Sequence, residues 1–126
     1  MTDNYLIETS GEGEVKITED VISAISTVAA ESVDGVVNIQ YDLKSSVTEM
    51  FGVKNTSKGV KVDIGEKEAI VEIFITILYG KNIVEVCKNV QDKVKEAVEN
   101  MTDLEVVEVN VHVSGIALPD KEKARA

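Results

Sequence analysis

Two segments of the chain repeat apolar residues at intervals of three and four, which is the period of an amphipathic α-helix. The first follows Thr18, a favourable N-cap residue, and continues to about Val33, where Asp34 and Gly35 end it. The second begins after Asn82 and runs for about five turns. Because each segment has a single apolar stripe, each predicts a helix that packs against one layer only.

The rest of the chain alternates apolar and polar residues, which is typical of strands with one buried face. The alternating segments are 14–17, 36–41, 60–64, 70–79 and 104–113. A short polar turn predicts that the third and fourth form a hairpin, and the helix between the fourth and fifth predicts that those two are parallel. In the last strand the alternation places Val107, Val109, Val111 and Val113 inward.

The element order is therefore β-α-β-β-β-α-β. Strands with one apolar and one polar face need helices on a single side, so the pattern predicts an α+β fold. We expect a two-layer sandwich, a mixed β-sheet with two helices on one face. Residues 14–118 form this single domain, with a flexible acidic tail at 1–13 and a flexible charged tail at 119–126.

Charge and composition narrow the classes of partner. The chain of 126 residues carries a formal net charge of −10, which disfavours nucleic acid and anionic lipid because both are negative. No apolar run is long enough to cross a bilayer, so direct membrane insertion is not expected. A single cysteine and a polar, acidic start without a secretory signal indicate a cytoplasmic location.

Few side chains suit catalysis or metal binding. His112 is the only histidine and lies on the polar face of a predicted strand, so we expect a surface residue rather than an acid–base group. Cys87 lies on the apolar stripe of the second helix, where a thiol is usually inert. One histidine and one cysteine on opposite sides of a sheet cannot form a zinc site, and no calcium-loop or phosphate-binding motif is present. The sequence predicts a protein with no enzymatic activity, metal or cofactor.

Two features are candidates for binding a partner. The connection 42–59 combines apolar residues with lysines. Either the apolar residues cover the edge of the core while the lysines remain solvated, or the segment forms a loop that docks on a partner. The polar face of the sheet carries one aromatic side chain. The candidate residues are Val47, Met50, Phe51, Lys54 and Lys58 in the connection and Phe74, Asn110 and His112 on the sheet. Sheet edges rich in Val and Ile also favour self-association.

Four stretches of the chain resemble the alkaline shock protein family of Gram-positive bacteria. They are 13–22, 29–36, 59–62 and the Tyr79-Gly80-Lys81-Asn82-Ile83 motif, which continues through 90–94 to 107–113. The resemblance covers about residues 11–118 and implies a small cytoplasmic, non-enzymatic protein associated with envelope stress. Some family members are held at the membrane by an anchoring protein or self-assemble. The recurrence of Asn110-Val111-His112 in the family pattern favours that face as an interaction surface.

The sequence and the resemblance together support a self-associating adaptor or structural protein of cell-envelope stress homeostasis that docks on protein partners. We expect a homo-oligomer in the cytoplasm that is held at the membrane through a partner such as a membrane-anchor protein. The alternative hypothesis is a regulator of fatty-acid synthesis that acts through acetyl-CoA carboxylase, since other family members are linked to that enzyme.

Overall fold

The computed structural model describes residues 5–37 and 59–118. Its elements are β1 (Tyr5–Ser10), β2 (Gly13–Thr18), α1 (Glu19–Glu31), β3 (Val36–Val37), β4 (Val60–Ile64), β5 (Glu68–Leu78), α2 (Ile83–Thr102) and β6 (Glu105–Ala117). The predicted α+β class is confirmed. The described order contains one more strand than predicted, at the start of the chain.

That additional strand corrects the prediction of a flexible tail over residues 1–13. β1 pairs antiparallel with β2 in a two-stranded sheet, and Leu6 lies opposite Ile17. Leu6 is buried and joins the core, while Lys16 places its ammonium 4.2 Å from the centre of the Tyr5 ring. The acidic residues and glycines near the turn do not form a pattern that predicts a strand. β1 is stabilised by its pairing with β2 and by one buried side chain, neither of which a local pattern shows. Residues 1–4 and 119–126 lie outside the described residues.

The main sheet is organised around β5. β6 runs parallel to β5 along its full length, which confirms the predicted parallel pair. β4 pairs antiparallel with the first half of β5, and β3 pairs antiparallel with Thr76 and Ile77 near its end. Since a strand has two edges and β6 occupies one of them, β4 and β3 follow each other along the other.

The core lies between this sheet and the two helices. α1 packs against β4, α2 packs against β6, and the helices contact each other, so both lie on one face as predicted. The sheet contributes alternate residues of β5, namely Ala69, Val71, Ile73, Ile75 and Ile77. Along α2, the valines at 86, 90, 94 and 98 are buried at intervals of four. Burial of each such aliphatic side chain stabilises the fold by roughly 1.5–3 kcal/mol.

One inward position of β6 was predicted incorrectly. Val106 is 2% exposed and faces the core, whereas Val107 is 45% exposed. The register shows why: Ala69 pairs with Val106 but Ile70 pairs with Glu108, so Val107 is an extra residue in the strand. A bulge of this kind shifts the alternation by one position, and the sequence pattern does not reveal it.

The helix ends match the predicted signals in part. The side chain of Asn82 accepts a hydrogen bond from the Glu85 N–H at 2.9 Å, as an N-cap does. Thr18 occupies the N-cap position of α1, but its side chain makes no capping hydrogen bond. α1 ends at Glu31, two residues before the predicted Val33, and Gly35 then adopts a φ of +101°.

Candidate interaction surface on the open sheet face

The sheet face opposite the helices carries mostly polar side chains. We call it the open face and define it by outward residues of β4, β5 and β6. They are Lys61, Asp63, Glu72, Phe74, Glu108, Asn110 and His112. Alternation along each strand places these residues together, because their neighbours in sequence face the core.

An aromatic stack lies near the middle of the open face. Phe74 on β5 pairs in register with His112 on β6. Their ring centroids are 4.6 Å apart with 15° between the ring planes. Offset stacking at this distance is favourable and holds both rings in one orientation. The parallel register therefore joins two of the predicted site residues into one feature.

The carboxylate of Glu72 pairs with the imidazole of His112, whose ring face stacks on Phe74. His112 Nε2 lies 2.9 Å from Glu72 Oε2, and the two side chains are 45% and 38% exposed. A pair this exposed contributes little stability, so its main effect is to orient the ring. The alternation of polar residues places Glu72 on the same sheet face as His112, but their contact depends on the register of β5 against β6, which the sequence pattern does not contain.

The remaining groups of the open face form a charged and polar border. The Lys61 ammonium lies 6.0 Å from the centre of the Phe74 ring, at the outer limit of a cation–π contact. Asn110 donates a hydrogen bond from Nδ2 to Glu108 Oε1 at 3.2 Å. With Asp63 and Glu72 also present, carboxylates outnumber ammonium groups on this face. The surface is suited to a ligand with positive charge.

Catalytic and metal-binding arrangements are not apparent in the part of the chain that the structure describes. A histidine paired with a carboxylate forms two thirds of a hydrolytic triad, but Cys87 lies on α2, on the opposite side of the sheet. Burial raises the pKa of the Cys87 thiol, which disfavours the reactive thiolate. Residues 5–37 and 59–118 contain no group of three or more His, Cys, Asp or Glu that could hold a metal ion.

Five candidate residues lie outside the described residues. They are Val47, Met50, Phe51, Lys54 and Lys58 of the predicted docking connection. Phe74, Asn110 and His112 lie together on the open face, where Phe74 and His112 are in contact. Their role in binding a partner remains a prediction.

A second surface, on the helices, was not anticipated. A groove of about 330 Å³ between α1 and α2 is lined by Ala24, Ile25, Val28, Ala29, Ala97 and Met101. Val28 and Met101 are 69% and 67% exposed. Both belong to the apolar repeats at intervals of three and four that predicted the two helices, so the sequence pattern predicted that they face the core. The apolar stripes are wider than the surface that the sheet covers, which the helical period by itself does not show.

The fold and the open face define a small α+β domain with a half-exposed aromatic stack on an acidic sheet surface. The family model for the alkaline shock protein 23 family, described as having a cell envelope-related function, matches residues 7–118. This match covers nearly the whole domain, and the chain belongs to that family.

Relatives with similar sequences extend over most of the chain. The protein YqhY of Bacillus subtilis, which is uncharacterized, is 34% identical over 125 residues, covering 96% of this chain and 93% of YqhY. A stress response regulator gls24 homolog of Streptococcus pyogenes is 29% identical, covering 98% of this chain and 73% of that protein.

Comparison with solved structures gives a more distant likeness. A variant of the MamM C-terminal domain has a TM-score of 0.47 and 11% identity, covering 77% of this chain and 94% of that domain. A likeness of this degree bears on neither function nor assembly. Within the described residues, no helix is long and apolar enough to span a membrane.

Proposed function

We propose that this protein is a non-enzymatic adaptor of cell-envelope stress homeostasis, which self-associates and docks on protein partners through its open face. Membership of a family with a cell envelope-related function supports the first part. The similarity to a protein named as a stress response regulator supports the connection with stress.

Docking through the open face is proposed because Phe74 stacks on His112 there. Residues that dominate binding energy in interfaces are often aromatic, lie centrally and are surrounded by polar groups that exclude water on binding. Phe74 meets this description, since it is half-buried and bordered by Lys61, Glu72 and His112. Its orientation is fixed before binding, which lowers the entropic cost of association.

The charge of the open face indicates the chemistry of the partner. The chain carries a formal net charge of −10, and Asp63, Glu72 and Glu108 are on this face. Lys- and Arg-rich segments flank membrane-spanning helices on the cytoplasmic side. An acidic adaptor would bind such a segment, whereas anionic lipid would repel it. We therefore propose a cytoplasmic protein that reaches the membrane through a membrane-anchor protein.

The connection 42–59 is proposed as a second contact region. Its candidate residues are Val47, Met50, Phe51, Lys54 and Lys58. Its apolar side chains would bury surface against a partner, as the stack does. Its lysines would also bring positive charge, which the open face mostly lacks, so this region would favour a different part of the partner. This part of the proposal is based on the sequence alone.

Site-specific photocrosslinking in cells tests the docking surface. A benzophenone amino acid replaces Phe74, and the matched control places it at Met101, which is exposed in the groove between the helices. We expect covalent capture of a small membrane protein with a basic segment from position 74 and not from position 101. Capture from position 101 alone would contradict the open face as the docking surface.

The same experiment separates the adaptor from the alternative regulator. If position 74 captures subunits of acetyl-CoA carboxylase and no membrane protein, the regulator of fatty-acid synthesis replaces the adaptor. A His112→Ala variant addresses the absence of enzymatic activity, since His112 is the one histidine in the sequence. Turnover of a substrate by the purified wild type that is lost in His112→Ala, with the circular dichroism spectrum of the variant unchanged, would contradict a non-enzymatic role.

A further inference from the structure

β6 forms an edge of the main sheet. Within residues 5–37 and 59–118 it pairs with β5 alone, so its other side is not part of a strand ladder. An edge strand presents main-chain N–H and C=O groups that another strand can pair with. At 13 residues, β6 is also the longest strand described.

Side chains of α2 cover the first half of this edge. The carboxylate of Glu99 accepts a hydrogen bond from the Val106 N–H at 2.9 Å, and Lys95 donates to the Val106 carbonyl at 3.1 Å. One turn earlier, Gln91 donates from Nε2 to the Val109 carbonyl at 3.0 Å. These contacts satisfy edge groups that would otherwise be available to a second strand.

The second half of the edge lacks this cover. Main-chain groups of Val106 and Val109 face away from β5, and alternation places those of Val111 and Val113 on the same side. After the register shift between Val113 and Gly115, the Ala117 carbonyl accepts from the Tyr79 N–H at 2.8 Å, so Ile116 faces outward. Among the described residues, no side chain of α2 bonds the β6 main chain beyond Val109.

Charge and exposure make this half suited to a second copy of the chain. Residues 109–118 contain no Asp, Glu, Lys or Arg, although the chain carries a net charge of −10. Two acidic molecules repel each other least where such a segment meets its equivalent. Val113, Ile116 and Leu118 are 36%, 44% and 48% exposed, and they would bury apolar surface when the two edges pair.

We infer that two copies of the chain pair antiparallel along residues 111–117 of β6, around a twofold axis perpendicular to the sheet. Antiparallel pairing is self-complementary, as a twofold interface requires. The cover provided by Glu99, Lys95 and Gln91 restricts pairing to this half of the strand. The axis places both open faces on the same side of one continuous sheet, and the two Phe74–His112 stacks lie on it together. This inference rests on the self-association in the proposed function and assigns its surface.

Light scattering after size-exclusion chromatography tests the inference with three variants. Val113→Lys and Ile116→Lys each place a charged ammonium group among the apolar side chains that the proposed pairing would bury. Met101→Lys makes the same change of charge in the helix groove. We expect a dimer that dissociates on dilution for the wild type and Met101→Lys, and loss of the dimer for the two edge variants. Circular dichroism establishes that each variant is folded.

Amide exchange followed by NMR gives an independent measurement on the wild type. The N–H groups of Val111 and Val113 face outward, so their exchange should slow as protein concentration rises. A dimer that persists in both edge variants, with no concentration dependence of these amides, would overturn the edge as the interface and leave self-association intact. A wild type that is monomeric at every concentration would instead overturn self-association itself. If Met101→Lys alone abolishes the dimer, the helix groove is the interface.

Discussion

The carboxylate of Glu99 joins α2 to the strand that follows it, by accepting a hydrogen bond from the Val106 N–H at 2.9 Å. The Lys95 ammonium lies 3.1 Å from the same carboxylate and also donates to the Val106 carbonyl. The hydrogen bond from Val106, and then that from Lys95, lowers the pKa of Glu99. One charged side chain thus connects a helix to the edge of the sheet.

This arrangement predicts a pH-dependent contribution to stability. A carboxyl whose pKa is lowered by folding stabilises the native state above its unfolded pKa, about 4.3 for glutamate, and loses that effect as pH falls through the lower folded value. We expect wild type to be more stable than Glu99→Gln at neutral pH, with a difference that shrinks below about pH 4.3. Urea unfolding at several pH values measures this difference. A gap that is unchanged at the acid end would contradict the assignment.

The bulge in β6 predicts opposite outcomes for two adjacent valines. Val106 is 2% exposed and Val107 is 45% exposed. Val106→Ala should lower the free energy of unfolding by about 1–3 kcal/mol, because it removes buried methyl groups and leaves a cavity. Val107→Ala should change it by no more than about 0.5 kcal/mol. Chemical denaturation of both variants compares them directly. A larger decrease in the free energy of unfolding for Val107→Ala than for Val106→Ala would contradict the bulge and support the alternation expected from the sequence.

The stack of Phe74 on His112 predicts an energetic coupling between the two residues. Aromatic pairs contribute about 0.5–1.5 kcal/mol beyond buried area, and partial exposure favours the lower end of that range. A double-mutant cycle with Phe74→Leu and His112→Ala should give a coupling of about 0.5–1 kcal/mol. Combining Phe74→Leu with Glu12→Ala, in the exposed turn between β1 and β2 of the other sheet, is the control and should be additive. Additivity in both cycles would show that the stack is energetically absent in solution.

Two glycines with nearly the same positive φ should respond differently to substitution, because their surroundings are packed differently. Gly35 and Gly80 have φ values of +101° and +102°. A Cβ at Gly35 would lie 3.1 Å from Val86 Cγ2, whereas at Gly80 no atom lies within 4 Å. Gly80→Ala should cost about 1–2 kcal/mol from backbone strain alone. Gly35→Ala should cost more, because Val86 must also move. Thermal unfolding of the two variants measures the excess, and equal losses would contradict the close approach at Gly35.

The alternation of apolar residues correctly predicted the inward face of β4 and β5, and the helical period correctly predicted α2. The Asn82 N-cap was also predictable, because capping depends on a few adjacent residues. Strand β1 could not be predicted in this way, since its stability depends on its pairing with β2. The exposure of Val28 and Met101 depends on how far the sheet extends beneath the helices, which no local pattern contains.

The sequence by itself determined the class of fold, the one-sided sheet and the residues available for chemistry, because these follow from local periodicity and composition. The tertiary structure decided which of those residues meet. The register of β5 against β6 brings Phe74 to His112 and His112 to Glu72, and the bulge at Val107 sets which valines face the core. Register and bulges arise from hydrogen bonding between strands distant in sequence, and the energy of that pairing is defined only when both strands are in place.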